Sequence, residues 1–166
     1  MREWLRDRRT TAIQANDLIG RKTARDGGRT ALAIAAQIET TEAELERSAS
    51  ADALAMRKRL AAARLAYVDV VRFIVGAAKD DPNAAYAGSV PYLLLAGKLM
   101  AGWQMARALL AAERALAQGE GEAAFLHAKV ATVRFYAEHI LAQLPGQRDA
   151  IVEGAGSVSA LALDAF

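Results

Sequence analysis

The chain has 166 residues, no cysteine, and 21 basic against 19 acidic side chains, a formal net charge of +2. That length suits a single domain, residues 1–166, with a real core. The missing thiols exclude disulfides and thiolate metal sites, and the small charge excess argues against a nucleic-acid partner. Apolar residues make up 54% but aromatics only 6%, so alanine carries much of the hydrophobicity and favours helices over strands. No stretch alternates with period two for long. The expectation is an all-α protein, an antiparallel bundle of four to five long helices. The N-terminus has no apolar signal region, so the cytoplasm is the expected location.

In chain order, residues from about Trp4 to Arg21 read as a first helix, with Ile13, Asp17 and Gly20 on one side. Arg25-Asp26-Gly27-Gly28 breaks it, as paired glycines do. A second helix, about Arg29 to Arg47, carries Ala31, Ile34, Ile38, Thr41 and Leu45 at the helical period. Its far end holds Glu39, Glu42, Glu44 and Glu46, which do not share a face and read as a solvated surface. Ser50 is a plausible N-cap for the third helix, about Ala51 to Ala78, with Met56, Leu60, Ala63, Tyr67, Val70 and Ile74 at spacings of four and three. Its opposite side, with Arg57, Lys58 and Arg64, suits water. Pro82 ends it, and Ala84–Ser89 reads as a loop or a single helical turn.

Two long helices follow, joined by a turn at Gly119–Gly121. Tyr92, Ala96, Leu99, Trp103, Ala106 and Leu110 stripe the first, with Pro91 at an early position where its missing N–H costs nothing. Leu126, Val130, Val133, Ala137, Ile140 and Leu144 stripe the second, which Pro145-Gly146 should end. Matched stripes joined by a glycine turn pack most simply as an antiparallel pair. The tail from Gln147 is weakly helical and loosens around Gly154 and Gly156.

Searched for chemistry, the residues give no site. A membrane span at Val90–Leu110 fails, because Lys98 and Arg107 each cost about 2.5–3.5 kcal/mol near a bilayer centre while each leucine returns only about 0.3–0.6. His127 and His139 lie twelve residues apart and so about 120° apart around a helix axis, too far to chelate one metal together. Gly97-Lys98 lacks the glycine spacing and the following hydroxyl of a phosphate loop. No catalytic residue and no metal site is expected.

Two blocks resemble the acyl-CoA dehydrogenase family, in particular its branch with a C-terminal helical extension, the methylmercaptopropionyl-CoA dehydrogenase type. The first runs from Thr10-Thr11-Ala12-Ile13-Gln14 through Asp17-Leu18-Ile19-Gly20-Arg21-Lys22 to Asp26-Gly27-Gly28. The second comprises Val90-Pro91-Tyr92-Leu93, Gly97, Gly102-Trp103, Lys129, Ala131-Thr132, Arg134-Phe135-Tyr136 and Leu144-Pro145. The resemblance implies that residues 10–79 form the end of the dehydrogenase bundle and 90–166 the extension. It also implies FAD as the family's cofactor, with Thr10 and Thr11 at positions that touch the flavin, and acyl-CoA as substrate of the full-length enzymes.

The pattern departs at one decisive place. The family's usual base is a glutamate two positions before the threonine matched by Thr10, and here that position is Arg8, between Asp7 and Arg9. A guanidinium stays protonated at physiological pH and cannot accept the α-proton. The flavin and thioester sites of the family also need two further domains. The expectation is therefore a C-terminal helical domain or fragment of an FAD-dependent acyl-CoA dehydrogenase, non-catalytic and binding no cofactor alone, whose start lies within a longer reading frame. A homodimer is expected, with no nucleic-acid or membrane partner. The alternative is a free-standing helical module that works by self-association.

Overall fold

The computed structural model describes residues 2–48, 50–158 and 160–161, with side chains from residue 10 onward. Within these it is almost entirely helical, with no strand. The order is α1 (Arg2–Asp17), a π-helical segment (Leu18–Ala24), α2 (Arg29–Ser48), α3 (Ala51–Asp80), α4 (Pro82–Ala87), α5 (Ser89–Gln118) and α6 (Ala123–Phe135). A second π-helical segment (Tyr136–Ile140), a 3₁₀ turn (Leu141–Gln143), α7 (Leu144–Val152) and α8 (Ala155–Val158) complete it. The side chains of residues 1–9, Trp4 and Arg8 among them, and residues 162–166 lie outside the described ones.

Helix α3 is the central rod. It packs against α2, α5 and α7 and buries Met56, Leu60, Ala63, Tyr67, Val70 and Ile74, the stripe its spacing requires. Ser50 Oγ accepts from Ala53 N at 2.9 Å and caps its start. Asp81 caps α4 in the same way, through Ala84 N at 3.1 Å, with Pro82 in the first turn. Left-handed backbone at Gly27 and Gly28 (φ 68° and 78°) turns the chain into α2, where Asp26 Oδ2 accepts from the backbone N–H and the hydroxyl of Thr30.

Ion pairs and hydrogen bonds fix the register of the neighbours. Glu46 meets Arg57 and Glu42 meets Arg64, so α2 and α3 run antiparallel. Glu113 of α5 accepts from the hydroxyls of Ser48 and Ser50, and Tyr92 near its other end stacks on Tyr67; α5 is thus antiparallel to α3. Arg134 pairs with Asp52 and Arg148 with Asp69, so the α6–α7 chain runs parallel to α3. The result is an antiparallel hairpin of α5 and α6, turned by Gly119 in the left-handed region (φ 66°) and docked on the α2–α3 pair.

Several expectations need correction in detail. Glu42 is buried, not solvated: Arg64 Nε donates to its Oε1 at 2.7 Å and Nη2 to its Oε2 at 2.9 Å. Arg64 correspondingly leaves water for this partner. Ile13 points outward at 66% exposure, while Ala15 and Ile19 face the core. On α5 the fully buried face is Tyr92, Leu95, Leu99, Ala106 and Leu109, with Trp103 and Leu110 only partly covered. Pro145 does not end a helix; it sits in the first turn of α7, after the π and 3₁₀ segments have already broken α6.

Candidate functional site

Thr10 and Thr11 lie in the second half of α1, both exposed. A flavin is a large ligand, and ligand pockets enclose most of the molecule they bind. Both threonines are exposed, and among the described residues neither lines any of the clefts described below. Among the described residues no cleft encloses a flavin around these two side chains. Asp7, Arg8 and Arg9 fall outside the described side chains.

The most enclosed polar constellation is elsewhere, and periodicity gave no hint of it. Thr23, at the end of the first π segment, is 1% exposed, and its hydroxyl lies 3.0 Å from the hydroxyl of Tyr92 on α5. The Tyr92 ring stacks on Tyr67 of α3, centroids 6.0 Å apart. Burial pushes the Tyr92 phenol up, against the opposing effect of its hydrogen bonds with Thr23 and Tyr67. Burial pushes Tyr67 up further, and the neighbouring Tyr92 adds to it. Both phenols stay neutral, so the cluster joins three elements and supplies no base at neutral pH. Tyr67 and Tyr92 each stood on an apolar stripe; only the pairing of the helices brings them together.

The described residues also line three surface clefts. One, of about 590 Å³, is lined by Glu44, Arg47, Ser48, Leu110, Glu113 and Arg114. A second, of about 640 Å³, lies between the first π segment and the end of α3, bounded by Gly20, Arg25, Gly27, Gly76, Lys79 and Tyr86. The third, of about 210 Å³, separates Met105 of α5 from Phe125, Ala128, Lys129 and Thr132 of α6. His127 and His139 are both exposed, and His139 stacks on Phe135 at 4.6 Å. Among the described residues no three His, Asp or Glu side chains converge, and no helix is long and apolar enough to cross a membrane. None of these arrangements assembles a nucleophile, a base and an anion-stabilising group.

The comparisons place this helical unit. The chain is 47% identical over 149 residues to 3-methylmercaptopropionyl-CoA dehydrogenase of Ruegeria pomeroyi, a match covering 90% of this chain and 25% of that protein. It is 33% identical over 155 residues to the broad-specificity linear acyl-CoA dehydrogenase FadE5 of Mycobacterium tuberculosis, covering 86% of this chain and 24% of that one. The chain thus spans about a quarter of the length of the curated relatives it matches. Residues 34–162 match the family described as acetyl-CoA dehydrogenase C-terminal like, a stretch that begins after Thr10 and Thr11 and takes in α3 through α8. The chain belongs to that acyl-CoA dehydrogenase C-terminal family.

Proposed function

We propose that this chain is a structural, non-catalytic part of an FAD-dependent acyl-CoA dehydrogenase, with α1–α3 (residues 10–79) closing the dehydrogenase bundle and residues 90–166 forming an extension docked on it. In this reading, removal of hydrogen from the α and β carbons of an acyl-CoA takes place on parts of the protein outside these residues. Thr10 and Thr11 supply peripheral polar contacts to the flavin, in a cytoplasmic enzyme that assembles as a homodimer.

The observation that carries the reading is how the two blocks are tied. Tyr92 and Trp103, both within the extension, reach Thr23 and Thr41 in the bundle; the indole Nε1 of Trp103 donates to Thr41 Oγ1 at 2.8 Å. A direct hydrogen bond of this kind contributes about 1 kcal/mol and, more usefully here, fixes one docking register. The extension therefore acts as a clamp on the helices that carry the flavin-proximal threonines.

The test is purification of the 166-residue chain, followed by equilibration with FAD and with an acyl-CoA plus an artificial electron acceptor. The expected preparation is colourless, retains no FAD after gel filtration and reduces no acceptor. A yellow protein that reduces the acceptor with any acyl-CoA overturns the reading.

A further inference from the structure

Helix α6 is built as a buried helix yet lies at the surface. Apolar side chains occupy two opposite faces of its thirteen residues, with His127, Lys129 and Arg134 on the flanks between them, but Val133 alone among the thirteen is buried. Taking Ala128 as origin and about 100° per residue, Ala124, Phe125, Ala131, Thr132 and Phe135 all fall within about 60° of it. Every one of them is exposed, and none is charged. Phe125 and Phe135 each leave 58% of their surface in water. The 210 Å³ groove against Met105 runs along the flank of this stripe.

We propose that the α6 face binds the same face of a second copy, with the two α6 helices antiparallel about a two-fold axis near Ala128 and Ala131. This rests on the reading that the chain self-associates, and assigns the surface. The stripe is close to palindromic in size: large at Phe125, small at Ala128, Ala131 and Thr132, large again at Phe135. A two-fold axis through the small centre lets the helices approach closely and sets Phe125 of one copy against the partner's Phe135. A face that complements itself under a two-fold rotation fits a second copy.

Charge at the two ends agrees with the antiparallel sense. Glu120 and Glu122 precede α6, while at its other end Glu138 is already paired with Arg134 and His139 stacks on Phe135. Antiparallel packing brings Glu122 toward the partner's His139, a hydrogen-bonding pair; parallel packing would set glutamates against glutamates. Lys129, with its ammonium 5.2 Å from the Phe125 ring centroid, borders the stripe without interrupting it. The footprint also sets the strength. Thirteen residues span about 20 Å, so α6 with its groove covers on the order of 300 Å² per copy. A stable interface needs about 800 Å² per partner, so this association is weak and reversible.

The test is sedimentation velocity of the full chain from micromolar to near-millimolar concentration, with circular dichroism confirming that each variant stays helical. The expected result is a concentration-dependent dimer that Phe135→Glu weakens at least tenfold. Leu65→Glu, at a comparably exposed leucine on α3, should leave it unchanged. Because the chain has no cysteine, Ala128→Cys provides a second readout: mild oxidation should give a covalent dimer, whereas Leu65→Cys should not. A dimer indifferent to Phe135→Glu and uncrosslinked at Ala128→Cys overturns this face while leaving self-association standing. A monomer at every concentration, with no crosslink, overturns both.

Discussion

Leu141 lies directly over Gly102. A Cβ added at Gly102 would stand 2.7 Å from Leu141 Cδ2, 2.9 Å from Cδ1 and 3.1 Å from Cγ, so the branch point of the leucine, not just one tip, is in the way. The α5 backbone is held close to the 3₁₀ turn by the absence of a side chain.

Gly102→Ala sets two effects against each other. Alanine gains about 1 kcal/mol over glycine in a helix interior, whereas overpacking a closed core costs about 1–3 kcal/mol. Leu141 is fully buried and has nowhere to move, so the variant should be less stable by about 1–2 kcal/mol. Gly97, one turn earlier on the exposed side of α5, has nothing within 4 Å of a built Cβ. Gly97→Ala should therefore stabilise, by up to about 1 kcal/mol. Urea denaturation of the pair distinguishes the clash from propensity, since both substitutions make the same chemical change in one helix.

The Glu42–Arg64 pair should dominate over its neighbour Glu39. The Arg64 side chain is 13% exposed and Glu42 8%, against 64% for Glu39. Removing Glu42 leaves a half-enclosed guanidinium without its main partner, so Glu42→Ala should cost about 2 kcal/mol or more. Glu39→Ala breaks a solvent-screened pair and should change stability by less than about 0.5 kcal/mol. Replacing both partners, as Glu42→Leu with Arg64→Met, should recover most of the loss. Full recovery would show that the pair specifies register more than it adds stability.

The threonines that receive the extension should also separate by burial. Thr23→Val leaves the Tyr92 hydroxyl without its threonine partner in an enclosed site, for an expected cost of about 1–2 kcal/mol. Thr41→Val does the same to the indole of Trp103, which is only partly covered, so water can take over the bond and the loss should stay below about 1 kcal/mol. The fluorescence of Trp103 should shift to longer wavelength in the Thr41 variant alone. Equal losses at the two sites would argue against burial as the controlling factor.

The helical class, the order of the long helices, the cap at Ser50, the end of α3 ahead of Pro82 and the glycine turn at Gly119 were legible because each rests on local chemistry. Two things were not. The first is register after a π segment. A stripe drawn at 3.6 residues per turn places Ala137, Ile140 and Leu144 inside, but the wider π turn at Tyr136–Ile140 adds a residue, and Leu141 replaces Ile140 in the core. The same widening at Leu18–Ala24 carries Thr23 inward. The second is pairing across helices. Glu42 belongs to an acidic run that local reasoning puts in water, and only Arg64 on a different helix makes its burial possible. Thr10 and Thr11 were singled out by family pattern alone, and both are exposed on α1 among the described residues.

The buried phenols predict an alkaline limit. Tyr67 and Tyr92 both have folded pKa values raised above the ordinary 10.0, chiefly by burial. In the unfolded chain each phenol loses its proton near pH 10, while in the folded chain it keeps it. The stabilisation is therefore complete below about pH 10 and is lost as pH rises above it, because the unfolded state then binds fewer protons. Each such group contributes a slope of about 1.4 kcal/mol per pH unit. Tyr67→Phe should reduce the slope of unfolding free energy between about pH 10 and pH 11 by roughly that amount, and should leave stability at neutral pH lower by about 1 kcal/mol or less. Denaturant titrations at several alkaline pH values measure it. An unchanged slope would mean that Tyr67 ionises within the folded chain, and that the Tyr67–Tyr92 stack opens to water before the bundle unfolds.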